Sequence, residues 1–222
     1  MAFAPNLEPL PPPQRALWPE LAATPDSFTL YGGTGLALRL GHRASVDFDF
    51  FSNVAFDPER LAAQIPYLKD AERIQVSPDT LTCRVDRGGP VLLSFFGGLG
   101  LGQVAAPDTT NDTGLQIASL LDLAGTKAAV IQKRAEVKDY LDIAAILQHG
   151  TDLATILAAG GVVYGRQFNP LITLKALTFS MTYRRCPWRN GRCWIAPLIK
   201  TVDVAKLPQL TPYAKRDNGM KP

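Results

Sequence analysis

The sequence predicts an α+β fold, in which a mixed sheet with flanking helices is followed by a mostly helical C-terminal part. Residues 27–96 contain several apolar segments of strand length separated by turn residues. From residue 116 onward, apolar residues recur at helical spacing. The 222 residues, 46% of them hydrophobic, are enough to bury a substantial core. We therefore expect a core lobe over residues 14–110 and a mostly helical region over residues 111–222.

The borders of the predicted elements carry proline, glycine and aspartate, which end helices and strands or start them. In chain order, the predicted elements are a short helix over 14–23, a strand over 27–31, a helix over 34–40, a strand over 45–51, a helix from Asp57, strand pieces over 74–76 and 80–85, a hairpin turn over 87–90, a strand over 91–96, and helices over 116–133 and 138–148. Strands mixed with few helices and followed by helices are typical of an α+β protein.

Overall composition narrows the class of protein. The net charge of +3 permits a polyanionic partner without requiring one. Cys83, Cys186 and Cys193 form neither a disulfide framework nor a paired metal motif, which favours a reducing, cytoplasmic location. The longest uncharged apolar run, residues 153–164, is too short to cross a bilayer, and the proline-rich N-terminus lacks the pattern of a signal peptide. We expect no association with a membrane.

The most specific functional pattern begins after Tyr31. Gly32 and Gly33 allow the backbone to turn sharply, and a helix then begins near Thr34. Free backbone amides at a helix start, without side chains in the way, form a natural phosphate site. By itself, a Gly-Gly turn is usually only a turn.

Two carboxylates follow this turn at strand spacing. Because side chains on a strand alternate, Asp47 and Asp49 share one face, and Val46, Phe48 and Phe50 are expected on the opposite, buried face. Such a pair can hold a divalent cation in front of the phosphate site. An isolated Asp-x-Asp is often only a solvated strand face, so the functional interpretation depends on the order of the two features.

That order resembles the signature of the DNA polymerase β-like nucleotidyltransferase superfamily, and within it the AbiEii-type toxins of abortive-infection toxin–antitoxin pairs. The family string looks like Gly-Gly-Thr-x-Leu-Ala-Leu-x-Leu-Gly-His-Arg-x-Ser-x-Asp-Phe-Asp-Phe-Phe, which residues 32–51 match. The family also carries a lysine, a later arginine and a basic-Asp-Tyr-x-Asp-Ile segment, and Lys127, Arg134 and residues 138–143 fit that order. The resemblance implies a polymerase β-like nucleotidyltransferase lobe.

The resemblance implies a magnesium-dependent enzyme that moves a nucleoside monophosphate from a nucleoside triphosphate to an acceptor hydroxyl. The implied catalytic residues are Asp47, Asp49, Lys127 and Asp142, of which Asp47 and Asp49 bind Mg²⁺. The implied nucleotide-binding residues are Gly32, Gly33, Thr34, Arg43, Ser45 and Arg134. The implied acceptor is an RNA such as a tRNA end, with a protein hydroxyl as an alternative, and the implied partner is a cognate antitoxin. Two other classes stay open: a catalytically silent nucleotide- or RNA-binding module, and a helical partner-binding protein.

Several of these roles have alternatives. Lys127 and Arg134, seven residues apart on one predicted helix, are expected to share a face, as are Asp139 and Asp142 on the next. The four can form purely structural ion pairs. In the functional interpretation Lys127 binds the triphosphate, and Asp142, or else Asp139, orients Lys127 or approaches the acceptor hydroxyl.

The segment between the glycine turn and the carboxylates leaves further alternatives. His42 and Arg43 contact phosphate or base, or else they cap the preceding helix. Ser45 binds the metal, or else it hydrogen-bonds the backbone.

One position departs from the superfamily pattern. A third carboxylate usually lies on the strand beside Asp-x-Asp, but Ser94 occupies the polar position of strand 91–96, and a neutral hydroxyl is a poor metal ligand. Three outcomes are open: one Mg²⁺ suffices, Asp86 or Asp142 supplies the missing charge, or the protein no longer catalyses.

Residues 181–194 depart from the family in another way, because arginine, tryptophan and cysteine are concentrated there without helical or strand spacing. Flanking segments, at 165–177 and 202–208, resemble the family again. One hypothesis is that two compensating frameshifts span residues 180–200. The alternative is an Arg/Trp patch that binds single-stranded nucleic acid.

Overall fold

The protein is described by a computed structural model that covers residues 2–134, 136–182, 188–189, 192–193 and 196–213. The strands are β1 (Ala2–Phe3), β2 (Thr29–Leu30), β3 (Asp47–Phe51), β4 (Glu72–Ser77), β5 (Thr80–Asp86), β6 (Pro90–Phe96), β7 (Asp108–Thr110), β8 (Gln116–Ile117), β9 (Trp188–Arg189) and β10 (Arg192–Cys193). The helices are α1 (Pro12–Leu17), α2 (Gly32–Leu40), α3 (Pro58–Gln64), α4 (Leu120–Lys133), α5 (Val137–Gln148), α6 (Leu153–Tyr164), α7 (Pro170–Thr182) and α8 (Ala196–Lys200). The predicted α+β class is confirmed.

Within the described residues the main sheet has eight strands in the order β1-β7-β8-β2-β3-β6-β5-β4, and it is mixed, as predicted. Its central strand β3 runs antiparallel to β2 and parallel to β6. Strand β2 in turn runs parallel to β8, which pairs antiparallel with β7. Strands β9 and β10 form a separate antiparallel pair.

The two faces of this sheet differ in chemistry. Phe48, Phe50, Leu30 and Ile117 lie on one face and are fully buried in a hydrophobic cluster with residues of α1 and α3. A second cluster joins Tyr31 and Leu36 to helices α4 to α7. The sheet face that carries Asp47 and Asp49 is the one left for polar chemistry, because strand side chains alternate between faces.

Local sequence explains several helix borders. The Asp57 side chain accepts a hydrogen bond from the Arg60 N–H, which caps α3 at its start. Ser119 caps α4 in the same way through the Asp122 N–H. Helix α2 ends at Gly41, whose φ of +64° suits the left-handed conformation that glycine adopts readily.

Three expectations about local structure are wrong. The predicted helix over 116–133 begins only at Leu120, because residues 116–117 pair with β2 and β7 as strand β8. Arg134 has extended backbone after the end of α4, so it does not share a helical face with Lys127. Val46 is 49% exposed, because β3 begins after it and the strand alternation does not extend to it.

The sheet extends beyond the predicted core lobe, because it includes Ala2–Phe3 and Gln116–Ile117. The division into residues 14–110 and 111–222 stays a prediction. The side chains of the Arg/Trp-rich segment 181–194 lie outside the described residues, and so do those of Cys186 and Cys193. The frameshift hypothesis and the nucleic-acid patch therefore stay predictions as well. Among the helices of the described ranges, none combines the length and apolar character needed to cross a bilayer.

Candidate functional site

The glycine turn joins strand β2 to helix α2 beside strand β3. The Tyr31 N–H donates to the Asp49 backbone carbonyl at 2.8 Å, and the Gly35 N–H donates to the Tyr31 carbonyl at 3.1 Å. Gly32 has a φ of +70°, which requires glycine or a strained residue. Within the described part of the chain, no side chain caps α2. The first amides of α2 are therefore available to an anion, as the Gly-Gly pattern predicts.

The turn has little room for side chains because charged groups lie against it. A Cβ atom on Gly32 would lie 2.6 Å from Asp49 Oδ2, and one on Gly33 would lie 2.5 Å from Arg43 Nη2. The backbone thus passes between a carboxylate and a guanidinium. The predicted phosphate site and the predicted Asp49 ligand are adjacent in space.

Asp47 and Asp49 are half-buried on the same face of β3. Burial raises the pKa of Asp49, and the neighbouring negative charge of Asp47 raises this pKa further, although Lys127 and Arg134 oppose the shift. Two carboxylates close together in a desolvated place attract a cation, which would relieve their repulsion. Their oxygen donors suit Mg²⁺, which proteins often hold through one or two carboxylates together with substrate phosphates.

The position of a third metal ligand is occupied by Ser94, as the sequence predicts. Ser94 lies opposite Asp49 in the register of β3 with β6, is buried, and accepts a hydrogen bond from the Thr82 hydroxyl at 3.3 Å. Asp86 accepts from the N–H groups of Gly88 and Gly89 in the β5–β6 hairpin turn. Among the described residues, no group of three acidic, histidine or cysteine side chains could hold a metal ion. A metal at this site would therefore depend on two carboxylates and the bound phosphates.

Thr34 and Ser45 hold the turn against the strand. The Thr34 hydroxyl lies 2.8 Å from Ser45 Oγ and also makes a close contact with the Asp47 carbonyl. The Ser45 N–H donates to the Pro9 carbonyl at 3.2 Å. The Ser45 hydroxyl thus bonds a side chain and not the expected backbone group, and its role as a metal ligand stays a prediction.

Asp142 is the centre of a buried cation cluster that consists of His42, Arg43, Lys127 and Asp142. Its carboxylate accepts from Lys127 Nζ at 2.6 Å, from His42 Nε2 at 2.7 Å, and from Arg43 Nε and Nη2 at 2.6 and 2.9 Å. Burial alone would raise the pKa of Asp142, but the hydrogen bonds from His42, Arg43 and Lys127 outweigh it and hold this pKa far below its usual range. An anion stabilised in this way orients cations and is a poor base.

Asp139 extends the same cluster across helices α4 and α5. It is fully buried and pairs with Lys127 Nζ at 3.3 Å and with Arg134 Nε at 3.1 Å. Arg134 is 47% exposed, so its guanidinium stays accessible beside the site. The structural ion pairs expected from the sequence are present, and they hold Lys127 where its charge acts on Asp49.

Of the two interpretations of His42 and Arg43, helix capping is wrong, and contact with phosphate or base stays a prediction. Neither caps α2, which ends at Gly41 with a backbone bond to Ala37. The His42 side chain is nearly buried, and its Nε2 hydrogen-bonds Asp142. Its buried Nδ1 has no partner among the described residues. The link spans about a hundred residues of sequence, so no local spacing signals it.

Comparison with known proteins agrees with the motif. The family model described as a nucleotidyl transferase AbiEii toxin of a type IV toxin–antitoxin system matches residues 15–182. An uncharacterized protein of Aquifex aeolicus (strain VF5) is 37% identical over 131 residues, which are 58% of this chain and 62% of that protein. The match thus spans about three fifths of that relative's length.

Two solved structures resemble the chain at low identity. One, described as a candidate nucleotidyltransferase from H. pylori, is 18% identical with a TM-score of 0.48 and covers 86% of this chain and 84% of its own. The other is the nucleotidyltransferase toxin MenT4 from Mycobacterium tuberculosis H37Rv, 17% identical with a TM-score of 0.48, covering 81% of this chain and 67% of its own.

Proposed function

Because the chain belongs to the AbiEii family of nucleotidyltransferase toxins, we propose that it transfers a nucleoside monophosphate from a nucleoside triphosphate to an acceptor hydroxyl. The observation that carries this proposal is the contact between the Asp49 carboxylate and the Gly32 turn. In that contact a carboxylate that would bind the metal lies next to the amides that would hold phosphate.

In the proposed mechanism each group of residues has one task. The open amides of Gly32, Gly33 and Thr34 bind phosphate oxygens, and Asp47 and Asp49 hold Mg²⁺ beside them. A divalent cation held by these two carboxylates would supply positive charge to the transferring phosphoryl group. The acceptor oxygen attacks the α-phosphorus in line, and a new O–P bond forms as the bond from the α-phosphorus to the bridging oxygen breaks. Pyrophosphate leaves with that oxygen, and the proton of the acceptor hydroxyl passes to water.

The cations of the site serve the leaving pyrophosphate. Lys127 supplies positive charge, and its position is set by Asp142 and Asp139 on α5. Arg43 lies against Gly33 and reaches the phosphate site from the strand side. Arg134, half-exposed, meets the nucleotide or the acceptor from solvent. Asp142 acts as a positioning residue, since its depressed pKa makes it a poor acceptor of the hydroxyl proton.

We infer that the acceptor is an RNA, such as a tRNA end, and that a cognate antitoxin counteracts the toxin. The family description as a toxin of a type IV toxin–antitoxin system supports the antitoxin. The net charge of +3 is compatible with a polyanionic acceptor.

A catalytically silent nucleotide- or RNA-binding module of the same fold is the second candidate. The neutral Ser94 opposite Asp49 favours it, because the superfamily pattern expects a third carboxylate there. The intact pair of Asp47 and Asp49 favours the enzyme.

The two candidates are separated by incubation with each α-labelled nucleoside triphosphate, Mg²⁺ and total RNA. The enzyme transfers label to RNA, and the Asp49→Asn variant does not. Asp57→Asn is a matched control, because Asn also caps a helix and Asp57 lies in the cap of α3. Binding of nucleotide without label transfer by the wild type would support the silent module. Label on protein in place of RNA would identify a protein hydroxyl as the acceptor.

A further inference from the structure

A cavity of about 420 Å³ lies on the sheet face that carries the two carboxylates. Tyr31 and Phe51 line it, and their rings stack at a centroid distance of 4.8 Å. Tyr31 directly precedes the glycine turn, and Phe51 follows Asp49 by two residues on the same strand face. Residues two apart on a strand are about 7 Å apart, so the cavity begins next to the proposed metal site.

Strand register places further lining residues on this same face. Thr29 pairs with Phe51, and Thr109 pairs with Gln116, so each pair projects to one side of the sheet. Leu30 pairs with Ile117 in the hydrophobic cluster of the other face, which puts Gln116 on the face of Asp49. The cavity is lined by Thr29, Phe51, Thr109 and Gln116 but not by Leu30 and Ile117. The cavity and the carboxylates thus belong to one continuous surface.

The lining of this cavity is uncharged apart from one carboxylate. Among the described residues that line it, there is no lysine, arginine or histidine, and Asp26 is the single acid. The cations of the site, Lys127, Arg43 and Arg134, lie in the cluster around Asp142 and Asp139 instead. A phosphate would find no counter-charge among the described residues that line the cavity. An uncharged, partly aromatic group fits it better, and its volume lies within the usual range of small-molecule sites, about 300–1,000 Å³.

Two side chains offer specific recognition. The Gln116 side-chain amide, with one donor and one acceptor group, has no hydrogen-bond partner within the described residues. Tyr213 lines the cavity with 40% of its surface exposed, and its N–H donates to the Gln103 carbonyl at 2.7 Å. The Gln103 side chain in turn interacts with the Tyr31 hydroxyl. The C-terminal segment is thereby tied to the loop before β7 at the edge of the cavity.

We propose that this cavity binds the nucleoside part of the donor nucleotide, with the Gln116 amide contacting the edge of the base and the Tyr213 ring stacking on the base. The inference rests on the proposed function, because the triphosphate must lie at the Gly32 turn. The inference adds the residues that select the base. Contacts to the metal and the phosphates alone cannot make that selection, because all four nucleotides share these groups.

The test measures binding of each of the four nucleoside triphosphates, and of inorganic tripolyphosphate, to the full chain in Mg²⁺ by calorimetry. The variants are Gln116→Ala and Tyr213→Ala. Gln75→Ala, on the exposed face of strand β4 at the far edge of the sheet, is the matched control for Gln116. Tyr213→Phe keeps the ring and is the conservative control for Tyr213.

The proposal expects Gln116→Ala and Tyr213→Ala to weaken nucleotide binding by about 5-fold or more, as loss of a stacking or base contact does. Gln116→Ala also reduces the differences in affinity among the four nucleotides. Tripolyphosphate binding stays at the wild-type level in both variants, and both controls bind nucleotide like the wild type.

Wild-type affinity in both variants, with unchanged base preference, overturns the proposal while the proposed function stands. Unchanged nucleotide affinity with a raised KM for RNA also overturns it, since the cavity would then hold the acceptor. Absence of nucleotide binding by the wild-type protein overturns the proposed function and this inference together.

Discussion

The Lys127 ammonium lies 2.6 Å from the Asp142 carboxylate, and both side chains are almost completely removed from solvent. Lys127 projects from α4 and Asp142 from α5, so the pair connects two helices of the C-terminal part. Arg43 and His42 reach the same carboxylate from the segment between α2 and β3. One carboxylate therefore joins the helical part to the strand that carries Asp47 and Asp49.

We expect Asp142→Asn to destabilise the fold strongly. The change leaves Lys127 and Arg43 as buried cations without their main anion, and breaking a buried pair in this way typically costs about 3–5 kcal/mol. The free energy of unfolding, measured in urea at pH 7, should fall by that order. Asp203→Asn is the control, since Asp203 pairs with Lys206 on the exposed surface. A urea midpoint for Asp142→Asn equal to that of the wild type would contradict the buried ion pair.

The Asp142 carboxylate should make part of the free energy of unfolding depend on pH in the acid range. Its pKa is depressed in the folded state, so its contribution is complete above the unfolded value of about 3.9 and is lost as the pH falls through the lower, folded value. The difference in unfolding free energy between the wild type and Asp142→Asn should be constant from pH 7 to pH 5. It should shrink as the pH falls from 4 toward 2. A difference that stays constant over the whole range would show that the pKa of Asp142 is the same in the folded and unfolded states.

Asp49 should have the opposite effect on stability. Burial and the charge of Asp47 raise its pKa, so its ionised form opposes folding above the unfolded pKa. Asp49→Asn should therefore raise the Tm at pH 7, by roughly 2–4 °C for each kcal/mol gained, and the gain should disappear below pH 4. Label transfer should be lost in the same variant.

Mg²⁺ gives the companion measurement. A cation bound between Asp47 and Asp49 stabilises the folded state in proportion to its affinity and concentration. Mg²⁺ should therefore raise the Tm of the wild type and leave the Tm of Asp49→Asn unchanged. Equal shifts in both proteins would place the cation elsewhere.

The glycine turn and the carboxylate pair could be predicted from the sequence because both are local. Only 14 residues separate Gly33 from Asp47, and strand alternation fixes the common face of Asp47 and Asp49. The link from Arg43 to Asp142 crosses 99 residues, and only tertiary packing creates it.

The shortest strands could not be predicted from the sequence either. Gln116–Ile117 has apolar spacing that suits a helix as well as a strand, and pairing with β2 decided between them. Strand β1, with two residues, is too short to show any period. The cavity beside Asp49 could not be predicted from local sequence, because its lining residues come from segments as distant as residues 26 and 213.

The Gly32 turn gives the sharpest test of the site, because the chain contains a matched glycine. Gly32 and Gly114 have φ values of +70° and +72°, so alanine at either position incurs the same left-handed strain, about 1–2 kcal/mol. A Cβ on Gly32 would also meet Asp49 Oδ2 at 2.6 Å, whereas one on Gly114 has no atom of the described residues within 4 Å. We expect the left-handed strain to lower the free energy of unfolding by a similar amount in both variants. The contact of the added methyl group with Asp49 should lower it further in Gly32→Ala.

Activity should separate the two variants much more clearly. Gly32→Ala should abolish label transfer and the Mg²⁺-dependent rise in Tm, because the added methyl group displaces the Asp49 carboxylate and covers the phosphate site. Gly114→Ala should keep both, once the assay temperature is lowered to compensate for its reduced Tm. Equal activity in the two variants would mean that the contact between the turn and Asp49 has no part in the chemistry.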